Sequence, residues 1–190
     1  MIAAGLLVEG SDVVVEGVGL NPTRTGVLDV LRRMEAELEV QGEPSGAEEP
    51  RGSVRARAGG LVATEISGAE VPGVIDELPI LAVLASAAQG RTVVRDAGEL
   101  AVKESDRIAG IVDNLNALGG SATACPDGFE IEGPARLGPG VVEARGDHRI
   151  AMSFAVAALA ARGPVRIEGW ECVDTSFPGF LETLRRLGAP

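Results

Sequence analysis

The feature that most constrains the fold of this chain is internal repetition. Three times a glycine opens a short strand-like run after an apolar segment: Gly10-Ser-Asp-Val-Val-Val-Glu-Gly17, Gly90-Arg-Thr-Val-Val-Arg-Asp96 and Gly163-Pro-Val-Arg-Ile-Glu-Gly169. The leading glycines are offset by 80 and then 73 residues. A repeat of that length is a whole supersecondary unit, so it must be recognised before any single element is assigned. A loop and an amphipathic helix follow each strand. Val27, Leu28, Leu31 and Met34 form the first apolar face; Ile111, Val112, Leu115 and Leu118 the second; Phe180, Leu181, Leu184 and Leu187 the third. After the first two helices the chain returns in strand-like pairs, Glu37–Val40 with Ser53–Arg57 and Ser121–Ala124 with Phe129–Ile131. The Gly42–Gly52 stretch between the first pair reads as a mobile hairpin loop, and Gly188-Ala189 as the end of the last helix.

The segments preceding the strands differ from the amphipathic helices. Pro79–Ala88 and Ile150–Ala161 are apolar around most of their circumference, which predicts helices buried centrally. Met1–Val8 reads as the last turns of a third such helix. The unit is therefore a buried helix, strand, amphipathic helix and hairpin, an α/β (α+β) pattern with helices inside and sheets outside. The first copy begins within its helix and the third stops after its helix, so the pattern predicts one domain over residues 1–190 belonging to a longer protein.

Composition narrows the function. A hydrophobic content of 45% over 190 residues fills one core, and with aromatics at only 3% that core is aliphatic. A net charge of −11 argues against nucleic-acid and anionic-membrane partners, leaving an anionic small molecule only where basic residues gather locally. Two isolated cysteines and one histidine give neither a disulfide framework nor metal-ligand spacing, so a reducing, cytoplasmic setting without a cofactor is expected. The apolar run Ile150–Ala161 is too short to span a bilayer.

The densest chemistry lies in Glu99-Leu-Ala-Val-Lys-Glu-Ser-Asp-Arg107, five of whose nine residues are charged, immediately before the helix at Ile108. Ser105 stands where an N-cap belongs and Asp106 in the first turn. Lys103, Glu104 and Arg107 thus crowd a helix N-terminus, a place suited to anions, although a capped helix with solvated charges has the same pattern. Asp76 precedes Glu77-Leu-Pro79 at the start of a buried helix, where an acid and a proline are also ordinary helix-start chemistry.

Asn21-Pro-Thr-Arg-Thr-Gly26, Asp76-Glu-Leu-Pro79, Lys103-Glu-Ser-Asp-Arg107, Gly146-Asp-His-Arg149 and Thr175-Ser-Phe-Pro178, in this order and at these spacings, resemble the carboxyl-terminal portion of the 5-enolpyruvylshikimate-3-phosphate synthase family. Each motif is short; together they cover nearly the whole chain. The resemblance implies an inside-out α/β domain of three βαβαββ repeats, one part of a two-domain enolpyruvyl transferase whose amino-terminal portion is absent. It implies carboxyvinyl transfer from phosphoenolpyruvate to shikimate-3-phosphate with release of phosphate, in the shikimate pathway, and hence those two compounds and the amino-terminal domain as partners. It gives Asp76 contact with the shikimate hydroxyls and a base role, and Glu104 proton exchange with the phosphoenolpyruvate methylene. Lys103 would contact shikimate-3-phosphate. Arg107 and Arg149 would hold phosphoenolpyruvate, for which the planar guanidinium fork is suited. His148 is a further candidate for ligand contact, although a lone histidine beside an aspartate is more often structural.

The sequence departs from some members at Glu99, where they carry Asn, and at Thr175, where they carry Lys, so those roles are not transferred. Two other readings compete: the related transferase acting on a UDP-aminosugar, against which Lys-Glu-Ser-Asp-Arg and Gly-Asp-His-Arg weigh, and a non-catalytic anion-binding module that retains the fold.

Overall fold

The computed structural model describes residues 1–43 and 49–187. The first unit comprises α1 (Ile2–Leu7), β1 (Asp12–Gly19), α2 (Gly26–Arg33), β2 (Glu37–Gly42) and β3 (Arg51–Arg57). Its strands form a sheet in the order β1-β3-β2, antiparallel throughout, with Val40 opposite Val54 and Val54 opposite Val15. Along β3 every second residue, Gly52, Val54 and Ala56, is buried, as expected of a sheet with one face on the core. Gly5 of α1 brings that helix close to the sheet, since a Cβ there would lie 3.2 Å from the Ala56 carbonyl oxygen.

The second unit is complete. It runs β4 (Glu65–Ile66), α3 (Leu78–Ala87), β5 (Gly90–Val94), α4 (Arg107–Ala117), β6 (Ser121–Cys125) and β7 (Gly128–Gly133). β4 and β5 are parallel, joined by α3, and the β6–β7 hairpin adds antiparallel to β5, giving the order β4-β5-β7-β6. This is the βαβαββ unit. The third unit consists of β8 (Gly140–Glu143), α5 (His148–Ala160), β9 (Val165–Glu168) and α6 (Phe180–Arg186), with β8 parallel to β9 around α5.

The central layer is made of α3 and α5, which pack on one another and on α1 and α4. Leu78, Leu81, Ala82, Val83, Leu84 and Ala85 of α3 are buried, as are Ile150, Ala151, Phe154, Ala155, Val156 and Ala157 of α5. Fully burying a side chain such as Leu or Val is worth about 1.5–3 kcal/mol, so these two helices anchor the domain. Small residues allow close crossing: the Cβ of an alanine replacing Gly110 of α4 would stand 3.4 Å from Ile150. Pro79 occupies the first turn of α3, where the missing N–H has no intrahelical partner to lose.

Four expectations are corrected. The N-cap of α4 is Asp106, whose carboxylate accepts from the Ala109 N–H at 3.0 Å, rather than Ser105. Asp106 has the extended backbone of a cap, which frees the Ser105 hydroxyl to donate elsewhere. In α6 only Phe180 and Leu184 are buried, whereas Leu181 and Leu187 are exposed, because this short helix covers the core at one end only. The face of α2 includes Val30, fully buried, with Val27 only half-buried. The strands before α3 and α5, which repetition in the residues alone did not supply, are β4 and β8. The central part of the expected mobile loop, at 44–48, and the Gly188-Ala189 helix end lie outside the described residues. No described helix is long and apolar enough to cross a membrane.

Candidate functional site

Three helix N-termini, those of α3, α4 and α5, meet on one side of the central layer. Each is entered through a tight segment. Gly68–Gly73 forms a short 3-10 turn before α3, capped by reciprocal Ser67–Glu70 bonds, and Gly98–Val102 forms another that leads into the Lys103–Asp106 loop. Before α5 the chain turns through Arg145 and Gly146, both with positive φ, and Asp147 N–H closes the turn by donating to the Ala144 carbonyl at 2.9 Å. Glycine suits the second of these positions because it lacks the Cβ that disfavours φ of +76°.

That turn drives Asp147 into the interior, where it is 0% exposed. Its Oδ1 caps α5, accepting from the Arg149 and Ile150 N–H groups at 2.9 and 3.4 Å. Its Oδ2 accepts from Arg107 Nε at 2.7 Å and from the Ser105 hydroxyl at 3.2 Å. Arg107 is also 0% exposed. Its Nη1 donates to Asp76 Oδ1 at 3.2 Å and its Nη2 to Glu104 Oε2 at 2.5 Å. Arg149 completes the cluster, donating from Nη1 to the Asp76 carbonyl at 2.9 Å and from Nη2 to Asp76 Oδ2 at 3.1 Å. Asp76 therefore bridges two arginines.

Burial and pairing oppose one another here. Burial disfavours a charged Arg107 guanidinium, but the hydrogen bond and charge of Asp147, with the charge of Glu104 and the bond to Asp76, hold it above its ordinary pKa. Burial pushes the Asp147 carboxyl up, yet Arg107 and the N–H groups of Arg149 and Ile150 outweigh it and keep it below its ordinary value. Glu77 goes the other way: burial, reinforced by the negative charge of Asp76, raises it against the pull of Arg149 and Arg24.

Of the residues singled out in sequence, Asp76, Glu104, Arg107 and Arg149 form one hydrogen-bonded cluster. Lys103 stands next to Glu104 on the same loop, but its Nζ pairs with Glu99. Among the described residues no hydrogen bond or ion pair joins Lys103 to the cluster, and none involves the His148 ring. His148 is the half-buried first residue of α5. Asp147 as a partner of Arg107, and Ser105 as a partner of Asp147, were not anticipated. An Asp before a helix signals only a cap, and nothing in a one-dimensional pattern announces that a guanidinium 40 residues away shares it.

A polar cleft of about 440 Å³ opens beside the cluster, lined by Asp76, Glu77 and Arg149 and, from the first unit, by Thr23 and Arg24. Arg24, within Asn21–Gly26, thus faces the same space. An adjoining cavity of about 230 Å³ is largely apolar, lined by Ile80, Met152, Val156, Phe177 and Phe180 below Asp76 and Arg149. The arginines are neutralised by carboxylates of the chain itself, so an anion entering must compete with Asp76 and Glu104. Half-exposed carboxylates can exchange a partner for water far more cheaply than a buried one can.

Residues 1–184 match the family model described as EPSP synthase (3-phosphoshikimate 1-carboxyvinyltransferase). A 3-phosphoshikimate 1-carboxyvinyltransferase of Citrifermentans bemidjiense is 50% identical over 183 residues, covering 96% of this chain and 43% of the relative. One from Synechococcus sp. (strain JA-3-3Ab) is 47% identical over 190 residues, covering 100% and 43% respectively. The solved EPSP synthase of Acinetobacter baumannii superposes with a TM-score of 0.94 at 41% identity, covering 99% of this chain and 44% of that one. The chain thus spans less than half the length of the relatives it matches.

Proposed function

Given that the chain belongs to the EPSP synthase family, we propose that it supplies one wall of a site for enolpyruvyl transfer from phosphoenolpyruvate to the 5-hydroxyl of shikimate-3-phosphate. The observation that carries this is the convergence of Asp76, Glu104, Arg107 and Arg149 at three neighbouring helix N-termini, although they come from three separate segments. These residue types suit the chemistry. The substrate hydroxyl must lose a proton as its oxygen attacks the enol carbon, and the methylene carbon must gain one, giving a tetrahedral ketal. Return of the carbon proton and cleavage of the carbon–oxygen bond to phosphate then yield the enolpyruvyl ether. Two carboxylates with opposite proton duties serve those steps, Asp76 towards the hydroxyl and Glu104 towards the methylene carbon.

In this reading Arg107 and Arg149 take the carboxylate and phosphate of phosphoenolpyruvate, and Lys103 exchanges Glu99 for the phosphate of shikimate-3-phosphate. Arg24, on the far rim of the cleft, adds to the positive field there. The opposing wall comes from an amino-terminal domain, in keeping with relatives more than twice as long, and a cytoplasmic setting fits such a pathway enzyme. The alternative of a UDP-aminosugar acceptor has no observation in its favour.

With one wall alone, clamping and exclusion of water are lost, and orientation of this kind is worth roughly 7–11 kcal/mol of barrier in favourable cases. The isolated chain is therefore expected to bind both compounds weakly and to turn over neither. The test is phosphate release on adding the amino-terminal portion of a relative in trans. Activity should appear, and Glu104→Gln should abolish it. A chain that is fully active alone, or that stays inactive and unable to bind either compound with its complement present, would overturn the reading.

A further inference from the structure

Arg107 meets carboxylates on two sides that differ in kind. On its Nε side stands Asp147, fully buried and with both oxygens doubly engaged, by Arg107 Nε and the Ser105 hydroxyl on one and by two N–H groups of α5 on the other. On its Nη side stand Asp76 and Glu104, whose side chains are 45% and 49% exposed. The first partner is immobilised by a helix terminus and a packed core. The other two can rotate into water. A guanidinium held only by the latter would follow them when they moved.

We propose that Asp147 is the positioning residue of this site. It pins Arg107 through Nε, so that Nη1 and Nη2 keep their places while their partners are exchanged: Asp76 and Glu104 give way to the oxygens of an anionic ligand. The same exchange releases two carboxylates that Arg107 otherwise occupies, coupling arrival of the anion to availability of the proton-transferring groups. Preorganised donors of this kind need no reorganisation when the ligand binds. Identity of the anion as phosphoenolpyruvate rests on the enolpyruvyl-transfer reading. The pinning of Arg107 does not.

The two are separated experimentally. In the 190-residue chain the arginine Nε–H groups are followed by nitrogen-15 NMR. Arg107 Nε–H is expected to exchange with solvent at least tenfold more slowly than that of Arg149, and to stay protected as inorganic phosphate or phosphoenolpyruvate is titrated in. Asp147→Asn should remove that protection while the backbone amides of α3 and α4 keep theirs, and Asp147→Glu should restore part of it. Equal exchange at Arg107 and Arg149 in the unsubstituted protein would overturn the proposal without recourse to a variant, so a variant that fails to fold does not shelter it. In the reconstituted enzyme, Asp147→Asn should lower kcat on the order of 100-fold, the scale of a small misplacement, and raise KM for phosphoenolpyruvate but not for shikimate-3-phosphate. A purely architectural role would reduce the folded fraction and leave both KM values unchanged. Absence of both reconstituted activity and binding of either compound refutes the transfer reading, while the exchange data still decide on Asp147.

Discussion

Two guanidinium–carboxylate assemblies in this molecule use the same chemistry in opposite settings. On the outer face of the first sheet, Asp12 accepts from Arg55 Nε at 2.7 Å and lies 3.4 Å from Arg57. In the interior, Asp147 accepts from Arg107 at the same 2.7 Å. Asp12 and Arg55 have side chains 41% and 40% exposed, so water competes for every bond they make. Asp147 and Arg107 have no such alternative. Identical distances therefore do not mean identical contributions: an exposed pair is typically worth about 0–1 kcal/mol, whereas leaving one member of a buried pair alone costs about 3–5 kcal/mol. The outer pair decorates a fold that would exist without it. The inner one fixes the relation between the second and third units.

Substitutions can break that contrast, and the largest effect is expected at Asp147. Asp147→Ala leaves Arg107 charged in the core and uncaps α5, so urea denaturation should report a loss of about 3–5 kcal/mol. If Asp147→Ala costs no more than about 1 kcal/mol, the interior is wetter than its burial implies. Replacing Arg107 and Asp147 together by apolar residues of similar volume should recover most of the loss, because buried ion pairs are often matched by such replacements. Asp76 and Glu104, half in solvent, would then simply hydrate.

Acid provides the next test. Both aspartates have folded-state pKa values below the ordinary 3.8, Asp12 at about 2 through its hydrogen bond to Arg55, which with the charges of Arg55 and Arg57 outweighs the opposing effect of desolvation. A lowered pKa means stability that is fully present above the unfolded value and lost as pH falls through the folded one. The stability gap between the unsubstituted protein and Asp147→Asn should therefore be constant above about pH 4 and narrow below it. For Asp12→Asn the narrowing should be confined to about pH 4 down to about 2 and should be much smaller in amplitude. Denaturation midpoints across pH 2–7 measure both. At neutral pH, Asp12→Asn should move the denaturation midpoint only slightly, and 1 M salt should erase even that shift, while the Asp147 effect persists.

The same contrast separates what could be read from sequence from what could not. The buried helices were legible because a run such as Leu81-Ala-Val-Leu-Ala85 leaves no polar face for water. The one-sided helices and the hairpins were legible from period alone. β4 was not, since two residues carry no alternation, and β8 is only four residues long. The cap of α4 was misplaced by one position because Ser105 and Asp106 are both good caps, and the choice depends on backbone angles set by packing. Leu181 and Leu187 carry the helical period yet stand exposed, since period tells which side residues share and not what lies opposite. At the site, family motifs led to Asp76, Glu104, Arg107 and Arg149. The depth of Arg107 was invisible: an arginine opening an amphipathic helix ordinarily reaches into solvent, and only the chain folding Asp147 beneath it makes burial tolerable.

The span of those contacts bears on the order in which the molecule forms. Arg107 and Asp147 are 40 residues apart, Asp76 and Arg149 73. The first cannot close until α4 meets α5, nor the second until α3 meets α5, and ordering such long loops is what slows folding. A repeat architecture could otherwise acquire its units one at a time, as stacked arrays do. Here the charged junction is expected to form late, since until α5 docks Arg107 has only the local Glu104 and lacks the buried Asp147 that holds its Nε. Substitutions at Asp147 should accordingly accelerate unfolding far more than they slow refolding, making protection of the Arg107 Nε–H a clock for the final step in acquiring the native state.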